Sequence, residues 1–510
     1  MRLCLETFAA QWGLKPQGSV GASDLTGVAK RKEKTMNSKK WMTGILAVAL
    51  VALASGCGMG SSSTPLVQPQ SGSVFVTGAD APLPSVVSFL VDITGLSVTD
   101  GNNNTQSVMI NTTTIDFARL NGMRTLLDIN TIPAGTYVSA TVTLANPRIG
   151  YLNVTNPQTN PPTPPAISTL DSTSTPQAVL TQSSVVIPLA NPLVVTPAAI
   201  IGLGFDFDLR KSILLDMNGQ ITGQVTPTLS LKAITPSDAD AYVDEFIAGV
   251  VTINAAGNTF TIQGPHGHTF TVNVNDQTEW EGSETINDLT TSSIVAISGT
   301  LDRTTAAFLA DTVAILSQDK FYAGGLITFV NPPVNTAQSF DLYVRDVLPS
   351  GTGFTSGQIS TIDLTGTEKY FIYWMHNVFA NPRFSNIFFN SALLVPGQHV
   401  SIGGPFVNGA VTVKRVVLRH EGHTGTLVAN SVNVGASTFQ FNSNGLAGVL
   451  FNGPVTVYVT PFTRFSGGLT SLNDLSSNPT NPLRVVGLVL KDPISGQPVF
   501  VARSVEELTN

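Results

Sequence analysis

From residue 72 onward the chain alternates apolar and polar residues in short runs. Val138, Ala140, Val142 and Leu144 fall on one side, with Ser139, Thr141 and Thr143 on the other. Phe89, Val91 and Ile93 repeat the pattern, as do Phe205, Phe207 and Leu209, then Phe270, Val272 and Val274, then Val455, Val457 and Val459. A period of two predicts strands that bury one face. Asn218-Gly219 predicts a hairpin turn. Residues 156–176 hold six prolines and predict a long polar loop, because proline donates nothing to a ladder. Helix is predicted in two places only. One is a turn or two within 115–120; the other is 237–246 (S-D-A-D-A-Y-V-D-E-F), where Ser237 would cap and the early acids suit the helix dipole.

The same pattern divides the chain, whose 510 residues exceed one compact domain. Residues 72–234 read as one β-rich domain and 235–248 as a short helical linker. From 249 the sequence repeats itself. Units 249–316 and 425–508 share two ordered marks: T-E-W-E-G (278–282) then N-D-L (287–289), and T-R-F-S-G (463–467) then N-D-L (473–475). Residues 324–419 are a degenerate middle unit with an insertion. Each unit carries five or six short strands, which suffices for a small closed barrel. The expected fold class is all-β.

Ahead of these lies an export signal. Lys39 and Lys40 precede an uncharged apolar run from Trp41 to Ala54, and Ser55-Gly56 is a small-residue cleavage site. That run is too short to cross a hydrocarbon core of roughly 30 Å as a helix. Leu53-Ala54-Ser55-Gly56-Cys57 resembles the lipobox of bacterial lipoproteins. The resemblance implies cleavage after Gly56, lipidation of Cys57, and a signal peptide spanning 36–56. It departs from the usual pattern at Ala54, where a larger aliphatic residue is preferred. Gly58 stands where an Asp would signal inner-membrane retention, so an outer-membrane anchor is expected. Residues 1–35 are then an upstream extension with Met36 as the start, and 57–71 is a Ser/Pro/Gly tether.

Charge narrows the partners. Eight of the 26 basic and three of the 33 acidic residues lie within residues 1–40, leaving 18 basic against 30 acidic from Cys57 onward. From Cys57 onward no basic run exceeds two residues, so nucleic acid is not an expected partner. Only 12% of residues are charged, which excludes a coiled coil or a charged disordered chain. Cysteine is spent on the anchor: Cys4 precedes it and Cys57 forms it, so packed cores must hold the fold without disulfides.

Two resemblances cover most of the remainder. D-A-P (80–82), I-P-A-G-T-Y (132–137) and D-F-D-L-R-K-S (206–212) resemble a family of bacterial and archaeal lipoprotein domains of unassigned function. The I-P-A-G-x-Y element also recurs in transthyretin-like and other immunoglobulin-like sandwiches. The later units resemble a second unassigned family, of small repeated barrels akin to OB-folds, through T-x-[FW]-x-G, N-D-L and a closing A-x-x-V strand. The middle unit lacks the T-x-[FW]-x-G turn. Together these imply a sandwich followed by three small OB-like barrels, with no catalytic motif.

Chemistry is sparse. His266 and His268 flank a turn at a spacing that could aim two imidazoles one way, and His420-Glu421-Gly422-His423 falls one residue short of a helical H-E-x-x-H zinc site. Both pairs are expected as solvent-facing turn residues, without a metal or other cofactor. Tyr370, Tyr373, Trp374 and Phe384 concentrate rings in the middle insertion and are the candidate ligand-stacking residues. The expectation is a non-enzymatic, lipid-anchored envelope protein contacting polysaccharide or another envelope protein. The alternatives are a glycan-active enzyme with paired carboxylates and a metal-binding envelope protein.

Overall fold

Strands make up 56% of the described residues and helix 9%, so the all-β class holds. The computed structural model describes residues 70–508, apart from 82, 84, 153–165, 236–237, 239–240, 265–266, 303, 333–335, 374–377, 452 and 478. Gly56, Cys57 and the whole export signal lie outside the described residues.

The first domain stacks two sheets. Strand Ser71–Ala81 lies between Ile200–Asp208, parallel to it, and Thr125–Pro133, antiparallel; Leu229–Ile234 completes this sheet. The second sheet is built on the long strands Val86–Asp100 and Gly135–Leu152. Inward residues of both meet in one core, with Phe89 and Phe117 each about 5 Å from Phe207 between ring centroids. Each buried Phe contributes roughly 1.5–3 kcal/mol. The turn foreseen within 115–120 is the 3-10 helix Phe117–Leu120. Tyr137 gives the I-P-A-G-T-Y element its purpose: its hydroxyl donates to the Pro133 carbonyl at 2.8 Å and fastens the turn.

Three six-stranded sheets follow. In the first, the order is Thr269–Asn273, Thr259–Gln263, Val243–Asn254, Ile294–Leu301, Phe308–Ser317, Glu279–Trp280. Val272 pairs with Phe308 and closes it into a barrel-like ring. The last has the same order, from Val455–Tyr458 to Arg464–Ser466, and closes where Thr456 pairs with Val499. The middle sheet keeps that order, from Ile359–Asp363 to Lys369–Ile372, but among the described residues no pairing closes it.

The recurring marks have one physical reason. The Thr278 hydroxyl donates to the Ala310 carbonyl at 2.8 Å, and the Thr463 hydroxyl to Ala502 at 2.6 Å, pinning each turn to the last long strand of its ring. Gly282 and Gly467 then take φ near +67° and +68°, which a side chain would resist. In each N-D-L, the Asp accepts from a Thr at the start of its turn: Asp288 from Thr285 N and Asp474 from Thr470 N.

One expected element differs in its second half. Of the helix expected over 237–246, residues 243–246 instead open the strand Val243–Asn254, while 237, 239 and 240 lie outside the described residues. Two acids in this strand have distant partners, Asp244 with Arg503 at 2.8 Å and Glu245 with Arg119 and Arg419. Among the described residues no helix is long and apolar enough to cross a membrane.

Candidate functional site

Charged residues are scarce in this chain, yet many of them are buried at one place where the sheets meet. Arg119, on the 3-10 helix of the first domain, reaches Glu245 of the first ring at 2.6 Å and also pairs with Asp346 of the middle sheet. Arg419 is fully buried; its Nε donates to Glu245 at 2.8 Å, its Nη1 donates to Ser401 at 2.9 Å, and Tyr322 lies alongside. Tyr322 in turn donates to Asp346 at 2.6 Å. Arg345 makes two bonds to Glu421 at 2.6 and 2.7 Å. Burial works against the Asp346 anion, but Arg119 and Arg419 outweigh it and hold this carboxyl below the usual range.

Above this network is a cavity of about 560 Å³. The first domain supplies Leu90, Ile115, Asp116 and Arg148; the first ring supplies Phe246 and Ile247; the middle sheet supplies Tyr322, Arg345, Asp346 and the loop 350–356. Its rim carries the exposed Thr112, Thr114, Gly351 and Thr355. Asp116 Oδ1 accepts from the Phe89 N–H at 2.8 Å, whereas Oδ2 is buried without a hydrogen-bond partner. Burial lifts the Asp116 carboxyl to about 6, against the pull of Arg345 and the Phe89 N–H. A shifted acid in a cavity marks a candidate site. The sequence offered one signal for it: an Asp ending a short strand of otherwise uncharged residues.

That shift has a thermodynamic signature. Between the usual Asp value near 3.8 and about 6, the folded state holds a proton that the unfolded chain releases. The stability this gives is complete below the lower value and is lost as pH rises through the upper one. The Asp116→Asn variant removes the dependence. Its unfolding free energy should match wild type near pH 4 and exceed it near pH 8 by up to about 3 kcal/mol, read by denaturant titration at the two pH values. An equal difference at both would refute the assignment.

The histidines differ from expectation. His420 and His423 are buried at the start of the strand Glu421–Leu427, not exposed in a turn, because the Glu421 between them is drawn inward by Arg345. Burial, helped by Arg345, pushes His423 down to about 3, so it is neutral. His399 is also held far below its ordinary value by burial and by Arg419, and its Nδ1 donates to the His420 carbonyl at 2.8 Å. His268 is half-buried, 3.4 Å from Asp128; His266 lies outside the described residues. Among the described residues no three His, Cys, Asp or Glu side chains converge as a metal site.

The ring cluster of the insertion also differs. Tyr373 is 2% exposed and Phe384 0%, so both serve the core and present no open stacking face. Tyr370 is half-buried and packs edge-on against Phe389, and Trp374 lies outside the described residues. Phe384 instead packs edge-on against Tyr458 of the last ring. Sequence reasoning missed Asp80 as well. This Asp of the D-A-P mark is buried with neither carboxyl oxygen hydrogen-bonded, and burial together with Asp206 holds its carboxyl well above the usual range.

Residues 71–222 match a domain of unknown function, DUF4382. The match takes in both sheets of the first domain except the strand Leu229–Ile234, and with them the cavity residues from Leu90 to Arg148, but none of the rings or the loop 350–356. No curated protein matches the chain. Among solved structures, the drosophila Unr CSD456 chain is similar over 52% of this chain and 97% of its own, at 9% identity and a TM-score of 0.13, which carries no inference about fold or function.

Proposed function

We propose that this chain is a non-enzymatic binding protein of the cell envelope, anchored to the outer membrane by lipid on Cys57. In this reading the DUF4382 region forms an immunoglobulin- or transthyretin-like sandwich and the three later sheets are OB-like barrels, the middle one left open. The observation that carries the proposal is the cavity between them. Of its two carboxyls, Asp346 is committed to Arg119 and Tyr322, so no free carboxylate pair faces a substrate. Its lining includes no histidine to serve a hydroxyl nucleophile. What is left is a half-open, half-apolar cleft with few unspent polar groups, which suits holding a ligand such as an envelope polysaccharide.

Radiolabelled palmitate tests the anchor. Wild type should incorporate label and sediment with outer membranes, and Cys57→Ala should do neither. Recovery of unlabelled wild type from the cytosol would overturn the proposal.

A further inference from the structure

The polar groups left over in the cavity have a fixed arrangement. Leu90 pairs directly with Asp116 on one neighbouring strand and with Arg148 on the other. Residues directly opposite in a sheet point to the same face, so Asp116, Leu90 and Arg148 form a row across the cavity floor, and all three line it. Two strand spacings place the acid and the guanidinium-bearing residue about 10 Å apart at the backbone.

Both ends of the row are unspent. Asp116 is 8% exposed, and its Oδ2 has no hydrogen-bond partner. Arg148 is half-buried and makes no salt bridge among the described residues. The other cations of the lining are committed, Arg119 to Asp346 and Glu245, and Arg345 to Glu421. Between the ends the floor is apolar, and Phe354 faces the same space from the opposite loop.

We propose that this cavity is the subsite for an acidic sugar, with its carboxylate on Arg148, its C–H face on Leu90 and Phe354, and a hydroxyl on Asp116. The proposal rests on the reading of the cavity as a binding site and names the ligand class. A guanidinium fork matches a carboxylate in two parallel bonds. A buried carboxyl oxygen lacking a partner is satisfied by an O–H donor. An apolar strip between two such groups takes the less polar face of a pyranose. A neutral sugar would leave Arg148 unpaired, and a simple aliphatic acid would leave Asp116 unsatisfied.

Calorimetric titration of the full chain with trigalacturonate, with cellotriose and with a sulfated trisaccharide tests this. Trigalacturonate should bind about ten- to a hundredfold more tightly than cellotriose, and Arg148→Gln should remove that preference. Arg148→Glu should abolish trigalacturonate binding, with melting curves of both variants unchanged, since Arg148 carries no ion pair. Equal binding of the two unsulfated sugars, or tighter binding of the sulfated one, would overturn the carboxylate assignment while leaving the binding reading intact. Binding that survives both Arg148 variants would overturn the location. No heat with any saccharide would overturn both the assignment and the polysaccharide reading beneath it.

Discussion

Replacing Arg419 by Met should destabilise the fold by about 3–5 kcal/mol, the cost of leaving a buried acid short of its partner. Arg419 is 0% exposed and joins Glu245 of the first ring to Ser401 and Tyr322 of the middle sheet. Met fills much of the volume but returns none of the five donors, so Glu245 keeps only Arg119. The double variant Arg419→Met with Glu245→Gln should recover part of the loss, since it removes the stranded charge together with its partner. Urea unfolding followed by tryptophan fluorescence reads the midpoints. Strictly additive losses would show that the two side chains do not act as a pair.

Gly422→Ala should be nearly as damaging for a steric reason. A Cβ at Gly422 would lie 1.9 Å from the carbonyl oxygen of Asn121, and that neighbour is backbone, not a side chain able to turn away. The Gly422 carbonyl also accepts from Asn121 Nδ2 at 3.0 Å, a buried bond that would be lost as the segments part. Together these should cost about 3 kcal/mol and speed hydrogen exchange at residues 121–124 without touching the core of the last ring. Gly249→Ala is the matched control, since a Cβ there meets nothing within 4 Å. Comparable losses in the two variants would show that close approach is not the reason for glycine at 422.

What the sequence made legible follows from range. Period-two runs such as 138–144 and 205–209 gave strands, and Asn218-Gly219 gave the turn between Ile213–Leu215 and Ile221–Val225, because those signals are local. The N-D-L marks were readable as turns for the same cause, since the Asp of each fixes hydrogen bonds within a few residues of itself. The failures share the opposite cause. Asp244, Glu245, Glu421, His420 and His423 look like loop or helix-cap residues by polarity, yet all lie at the buried junction or beside it. Their partners are far off along the chain, Glu245 reaching Arg119 and Arg419 and Glu421 reaching Arg345. The cavity was invisible for that reason too, since Asp116 and the loop 350–356 meet only once three modules are assembled.

Glu245 between Arg119 and Arg419 carries a lesson for how such modules spread among genes. Recombination copies one ring at a time, but a copied ring would arrive with orphaned ions where its former neighbours stood. A ring standing alone would need neutral residues at those places, at 245 in the first ring or at 346 and 419 in the middle sheet.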